Sequence, residues 1–230
     1  MIENSIAQSI SVIRKEISKY CLMAGRPTES VQLIAISKTK PLSMIEAAFN
    51  TGERNFGESY IQEAISKIEA FNPPGIIWHF IGPIQSNKTK AIAEHFSWVH
   101  SVDRLKIAER LNDQRPAMLP PLNVCIQVNI DEESNKSGVT LAELPALAFA
   151  IQSLPHLTLR GFMTVPAKRN SFAEQRIPFS RLRESFETVR TQGIITLDTL
   201  SMGMSNDLEA AIIEGATLVR VGTSIFGARQ

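Results

Sequence analysis

Leu33-Ile34-Ala35-Ile36-Ser37-Lys38-Thr39-Lys40-Pro41 is an apolar run that ends on a basic turn, and the reading of that turn decides the fold. The run predicts a strand, and Pro41 suits the start of a following helix. A doubly wound sheet that binds a dinucleotide carries a glycine-rich GxGxxG turn after its first strand, and this turn has no glycine. Side chains alternate across a strand, so Lys38 shares its face with Ile34 and Ile36, which are predicted to point into a core. An ammonium beside apolar walls loses hydration, and its neutral form becomes available to attack a carbonyl. Lys38 therefore has two readings, a Schiff-base lysine or a solvated lysine at a strand end, which is the usual fate of a lone lysine. Lys40 has the same parity but directly precedes Pro41, farther from the strand, so Lys38 is preferred.

On both sides of this stretch the chain alternates. Ile2, Ile6, Ile10, Ile13 and Ile17 recur at helical spacing before Gly25 and Pro27, which predicts an opening amphipathic helix. After the Lys38 turn come a helix from Pro41 to Phe49, a strand from Arg54 to Gly57, and a helix near Ser59 for which Ser59 and Gln62 fit a capping box. Strands are then predicted at Ile76–Ile81, Trp98–Ser101, Asn123–Ile130, Leu157–Thr164, Leu197–Met202 and Thr217–Val221. Helices fill the intervals at Ser86–Phe96, Asp103–Leu111, Leu141–Ser153, Phe172–Thr191 and Leu208–Glu214. Eight strand and helix units of this kind imply right-handed crossovers around a parallel sheet, and they favour an α/β fold of one closed (β/α)8 TIM barrel with an extra N-terminal helix. An open doubly wound sheet is the alternative. The polar connection from Ala167 to Arg176 is predicted to be a mobile surface loop.

At 230 residues with 43% hydrophobic content, the chain is read as one domain, residues 1–230. A net charge of +1 without charge blocks points to neither nucleic acid nor a membrane surface. Cys21 and Cys125 form no metal-spaced pair and fit a reducing compartment. The polar N-terminus is no secretory signal, and no run is long enough to span a bilayer, so a cytoplasmic protein is expected.

In a barrel, binding groups gather at the carboxyl ends of the strands, and phosphate is often held by the loops after strands seven and eight. Here those loops are Ser201-Met202-Gly203-Met204-Ser205-Asn206-Asp207 and Gly222-Thr223-Ser224. Small residues let backbone N–H groups approach a phosphate, and Ser205, Thr223 and Ser224 add hydroxyls, although such loops are more commonly plain turns and caps. Arg220 in Leu218-Val219-Arg220-Val221 is aimed inward by its parity with Leu218, and a buried guanidinium needs an acceptor. That acceptor is either a carboxylate on a neighbouring strand or a ligand. An amine on strand one, an arginine on strand eight and two phosphate loops together would grip pyridoxal phosphate, whose pyridine nitrogen takes arginine as one of its partners.

Six segments, SKTKP (37–41), NFGESY (55–60), WHFIGPIQSNK (78–88), RGFMTVPA (160–167), SMGMSND (201–207) and VRVGTSIFG (219–227), resemble in order the pyridoxal phosphate homeostasis proteins over nearly the full chain. That family looks like the isolated barrel domain of alanine racemase. The resemblance implies that Lys38 forms the Schiff base, that Arg220 meets the pyridine nitrogen, that Ser205, Gly222 and Thr223 bind phosphate, and that Asn55 lies near the cofactor ring. One departure is Ser59, where the family usually has asparagine; both residues are good N-caps. His79, in an apolar setting, is either a packed core histidine or a site residue. The Gln85-Ser86-Asn87-Lys88 segment either faces the barrel mouth or starts a solvated helix. His95, His100 and His156 have no metal-ligand spacing and are assigned nothing.

Three functions compete. The resemblance points to a non-catalytic carrier or regulator that holds pyridoxal phosphate for apo-enzymes or free amino acids, acting as a monomer without nucleic acid, membrane or metal. An amino-acid racemase would need acid and base groups on opposite faces of the substrate carbon. Alanine racemases supply the second base, a tyrosine, from an added domain and its partner subunit. This sequence reaches Gln230 just past strand eight with only Tyr20 and Tyr60, so that domain is expected to be lacking. A Schiff-base aldolase acting on a phosphosugar would leave Arg220 unexplained.

Overall fold

The computed structural model of the chain describes residues 2–228, with side chains from Ser5 onward. Strands β1 (Gln32–Ile36), β2 (Asn55–Glu58), β3 (Ile77–Phe80), β4 (Trp98–Val102), β5 (Leu122–Val128), β6 (Leu157–Thr164), β7 (Thr199–Ser201) and β8 (Leu218–Val221) close into a barrel in sequence order. Neighbours are parallel throughout, and β8 returns to β1 with Leu33 opposite Val219 and Ile34 opposite Arg220. The expected (β/α)8 barrel with an additional N-terminal helix is the observed fold. Before β1 lies α1 (Ile2–Met23). The connecting helices are α2 (Leu42–Asn50), α3 (Ile61–Ala70), α4 (Thr89–His95), α5 (Leu105–Gln114), α6 (Leu144–Gln152), α7 (Phe172–Thr191) and α8 (Leu208–Ile213), and a short α9 (Thr223–Phe226) follows β8.

The main apolar core is the layer between barrel and helices. Leu33 and Ala35 of β1, Phe56 of β2 and Phe80 of β3 pack there with Ile45 and Ala48 of α2 and Ile92 of α4. Ile34 and Ile36 have the opposite parity and face the lumen, where a Cβ added to Gly57 would meet Ile36 Cδ1 at 2.5 Å and Ile34 Cγ2 at 3.1 Å. The strand period thus points outward residues at helices and inward residues at one another. The stripe Ile6, Ile10, Ile13 and Ile17 seats α1 on α2 and α8, while the side chain of Ile2 lies outside the described residues.

Three local expectations are corrected. The capping box at Ser59 and Gln62 does not form: α3 starts at Ile61 with Tyr60 as N-cap, one residue later than that box requires, and there is no side-chain cap, while the Glu63 carboxylate of its first turn is drawn to Thr39 and Lys67. Both reciprocal bonds of a capping box occur at Ser171 and Glu174, which open α7. The connection before α7 is pinned, since the Ala167 N–H donates to Asp131 at 2.6 Å and the Arg169 guanidinium pairs with the same carboxylate. The segment from Ser86 splits into a 3-10 turn, Ser86–Lys88, and α4. No helix among the described residues is long and apolar enough to cross a membrane.

Candidate functional site

A cavity of about 550 Å³ opens at the carboxyl ends of β1, β6, β7 and β8. Lys38, Ser205, Arg220, Gly222 and Thr223 line it together, with Ile36, Ile81 and Met163 as apolar walls and Lys40, Asn206 and Ser224 beside them. These five sequence-derived candidates, separated by up to 185 positions, share one space because strands one and eight are neighbours where the barrel closes. Asn55 does not line this cavity. It stands at the amino end of β2, where it borders a separate cavity of about 330 Å³ at the opposite end of the barrel, and its Oδ1 meets His79 Nε2 at 3.1 Å.

Lys38 sits in a turn held from behind. The next residue, Thr39, has a φ of 63°, a left-handed conformation that a β-branched residue adopts only when its surroundings enforce it. The enforcing bond is the Thr39 N–H to Glu63 Oε1, 2.6 Å. The buried Lys67 ammonium donates to Glu63 (2.5 Å), to Glu58 (2.8 Å) and to the Ser37 carbonyl (2.8 Å), and the Ser37 hydroxyl donates to Glu58 at 2.6 Å. The residues on both sides of Lys38 are therefore clamped by a single cluster. Burial raises the Glu58 carboxyl above its ordinary range despite Lys67 and Ser37, and its Oε2 is buried with no partner. Lys40 turns away from the cluster and donates to the Gly227 and Ala228 carbonyls at 2.9 and 2.7 Å.

Arg220 forms the floor. It is 5% exposed, and its guanidinium donates to the Ser201 carbonyl (2.6 Å), the Ser201 hydroxyl (2.7 Å) and the Thr164 carbonyl (2.8 Å). None of these acceptors carries charge. The neighbouring-strand carboxylate considered from sequence is missing, and among the described residues Arg220 enters no ion pair; Asp207 acts on it only at longer range. Burial lowers its pKa to about 10, against the opposing pull of Asp207 and Cys125, so it stays protonated near neutral pH.

The β7 and β8 loops meet at the third wall, where the Ser224 hydroxyl donates to the Ser205 hydroxyl at 3.0 Å. Asp207 shapes the first loop by accepting the Met204 N–H at 2.6 Å. The backbone N–H groups of Ser205, Asn206, Thr223 and Ser224 donate no hydrogen bond among the described residues, so several donors and two hydroxyls converge beside a buried cation. A Cβ at Gly222 would stand 3.2 Å from both Cβ and carbonyl oxygen of Ile36, so glycine lets β8 close tightly on the end of β1. The arrangement suits a flat anion whose far end reaches Lys38.

The Gln85–Lys88 segment does not line this cavity; the Ser86 carbonyl accepts from Thr89 and Arg110. Sequence reading missed Ser201, which holds Arg220, and His100, whose Nδ1 lies 2.8 Å from the Ser201 hydroxyl. The available signal was the matching pattern Trp78-His79-Phe80 and Val99-His100-Ser101, each a histidine inside an apolar strand.

Residues 11–230 match the family model described as alanine racemase, N-terminal domain. The chain is 51% identical over 230 residues to the pyridoxal phosphate homeostasis protein of Escherichia coli (strain K12), covering 99% of this chain and 98% of that protein. To the protein of the same name from Pseudomonas aeruginosa it is 54% identical over 227 residues, covering 99% and 97%. PipY of Synechococcus elongatus PCC7942, solved with PLP bound, superposes with a TM-score of 0.84 at 36% identity, over 96% of this chain and all of that one. Alanine racemase from Corynebacterium glutamicum, 15% identical with a TM-score of 0.71 over 98% of this chain and 61% of its own, shares the fold.

Lys67→Met leaves the Glu58 carboxylate buried without its cation and is expected to cost about 3–5 kcal/mol in urea unfolding. Adding Glu58→Gln should restore part of that loss, because a neutral amide no longer requires the ammonium. A double variant as unstable as the single one would show that the residues do not act as a unit.

Proposed function

We propose a function from one premise: this chain belongs to the pyridoxal phosphate homeostasis proteins, whose barrel is that of the alanine racemase N-terminal domain family. Its function is to bind pyridoxal 5'-phosphate and keep it in reserve. The observation that carries this reading is the convergence of Lys38, Arg220 and the Ser205 and Thr223 loops on one cavity. Bound there, the cofactor supplies an aldehyde that condenses reversibly with an amine, a pyridine nitrogen and a phosphate dianion.

The residues present fit all three groups. Lys38, held at the strand end by the Ser37 and Thr39 anchors, would meet the aldehyde. The N–H groups and hydroxyls of Ser205, Thr223 and Ser224 would take the phosphate, and the buried Arg220 adds a positive field beneath it. Arg220 would face the pyridine nitrogen. A guanidinium has donors and no acceptor, so it can only donate to that nitrogen and leaves it unprotonated, which weakens the ring as an electron sink.

What lines the cavity supports holding the cofactor without turnover. The cavity lining supplies Lys38, Lys40 and Arg220, and among the described residues no carboxylate, imidazole, phenol or thiol lines it. Racemisation needs a base on each face of the substrate carbon, and Tyr60, half exposed at the start of α3, and Tyr20 on α1 both lie outside the cavity lining. The cofactor so held remains exchangeable with free amines or apo-enzymes.

Borohydride treatment of the protein loaded with pyridoxal phosphate should fix a pyridoxyl group on Lys38, located by peptide mass mapping, and Lys38→Ala should fold but carry no label. A label recovered on Lys40 would refute the assignment. Incubated with L-alanine or L-serine, the loaded protein should release no keto acid and leave the enantiomer ratio unchanged. Sustained turnover that disappears in Lys38→Ala would restore the racemase reading.

A further inference from the structure

The lumen holds a file of polar side chains that begins at Arg220 and leaves the cavity behind. The Arg220 guanidinium donates to the Ser201 hydroxyl at 2.7 Å, Ser201 Oγ lies 2.8 Å from His100 Nδ1, His100 Nε2 lies 2.9 Å from His79 Nδ1, and His79 Nε2 lies 3.1 Å from Asn55 Oδ1. In the closed strand order β4 and β7 are not neighbours, so the bond between His100 and Ser201 crosses the barrel. Both imidazoles are buried, and each is flanked by the indole of Trp98. Asn55 borders the second cavity, at the amino ends of β1 and β2, so the file connects the lining of one cavity to that of the other across the lumen.

Chemistry sets the direction of this file. Arginine only donates, so Ser201 accepts from Arg220 and must pass its own proton onward. The only acceptor within reach of that fully buried hydroxyl, among the described residues, is His100 Nδ1. His100 is then the Nε2–H tautomer and donates to His79 Nδ1, and His79, also Nε2–H, donates to the amide oxygen of Asn55. Each hydrogen bond then has one donor and one acceptor, and both rings must be neutral: a second proton on His79 Nδ1 would face the His100 Nε2–H, and one on His100 Nδ1 would take away the only acceptor of the Ser201 hydroxyl. Burial agrees, holding His79 down at about 3 and His100 well below its ordinary value, with His79 and Arg220 lowering the latter further. Two further titratable groups act on the Arg220 end of the file, Cys125, whose thiol pKa burial raises, and Asp207, whose carboxyl pKa burial also raises.

We infer that His100 and His79 are positioning residues: their one-way hydrogen-bond file, anchored on Asn55, orients the Ser201 hydroxyl and so holds the Arg220 fork beneath the cavity. The role for cofactor binding rests on the function proposed above, whereas the file itself does not. It also gives Asn55 a part in the site at a distance, through four successive hydrogen bonds.

Nitrogen-15 NMR of histidine-labelled protein tests the file directly. Both rings should appear as neutral Nε2–H tautomers from pH 8 to about pH 5, with or without pyridoxal phosphate. An Nδ1–H tautomer, or titration of either ring in that window, would overturn the proposal. For the link to the cofactor, His100→Phe should retain the wild-type circular dichroism and the borohydride label on Lys38. Its dissociation constant for pyridoxal phosphate should rise about tenfold, and the absorption band of the borohydride-sensitive chromophore should move. His100→Gln, whose amide both donates and accepts, should recover part of both changes. A His100→Phe protein with wild-type affinity and band would overturn the positioning role. Should His100→Phe fail to fold, Ser201→Ala takes its place under the same criteria. Absence of a Lys38 label in the wild type would instead count against the proposed function and leave the tautomers to decide the file.

Discussion

A guanidinium closed inside a barrel without a carboxylate costs several kcal/mol of lost hydration, and that loss is only partly offset by hydrogen bonds to neutral acceptors. Arg220 stands in this position. Its partners are the carbonyls of Thr164 and Ser201 and the Ser201 hydroxyl, contributed by the carboxyl ends of two other strands, so its place depends on barrel closure. A positive charge without a direct ion pair, eased only by Asp207 at longer range, lies under a cavity rimmed by N–H donors and is stabilised further by any anion that enters. The same buried charge that costs the barrel stability favours an anionic ligand, which is how stability is commonly traded for binding at functional sites.

Across the cavity the charges are arranged oppositely. Glu58 and Glu63 lie behind the Lys38 turn, and Lys67 neutralises them there, where it also grips the Ser37 carbonyl. The acidic groups thus act on the backbone of the turn and do not line the cavity, and the strain at Thr39 is borne by Glu63. Two buried polar assemblies, one under the lysine and one under the arginine, fix the two ends of the site from outside it. Both are built from residues that never touch the cavity, His79, His100, Glu58 and Lys67 among them.

Much of the architecture was legible in the linear chain because its signals are local. Strand and helix periods alternate without interruption, the turn after Ile36 lacks the glycines of a dinucleotide site, and parity alone sends Lys38 and Arg220 inward. The loops after strands seven and eight could be named because barrel topology brings those ends together. What stayed hidden depends on partners distant in sequence. Ser59 and Gln62 read as a capping box until α3 starts one residue later, nothing near Glu63 in the chain shows that it holds Thr39 and Lys67, and the Ala167–Arg176 connection reads as free until Asp131 pins it. His100 carries no spacing signal at all. Its meaning appears only where β4 faces β7 across the lumen, and Asn55, placed beside the cofactor ring by resemblance, lies at the other end of that file.

The central claim is that the Arg220 fork, and not merely a positive charge, holds the cofactor. Calorimetric titration of pyridoxal phosphate into wild type and Arg220→Lys at one pH and ionic strength tests it most directly, because lysine keeps the charge but cannot bridge Ser201 and Thr164 with a planar fork. The predicted result is binding weaker by about tenfold or more for Arg220→Lys, the loss appropriate to charge-assisted hydrogen bonds. Equal affinity in the two proteins would contradict the account.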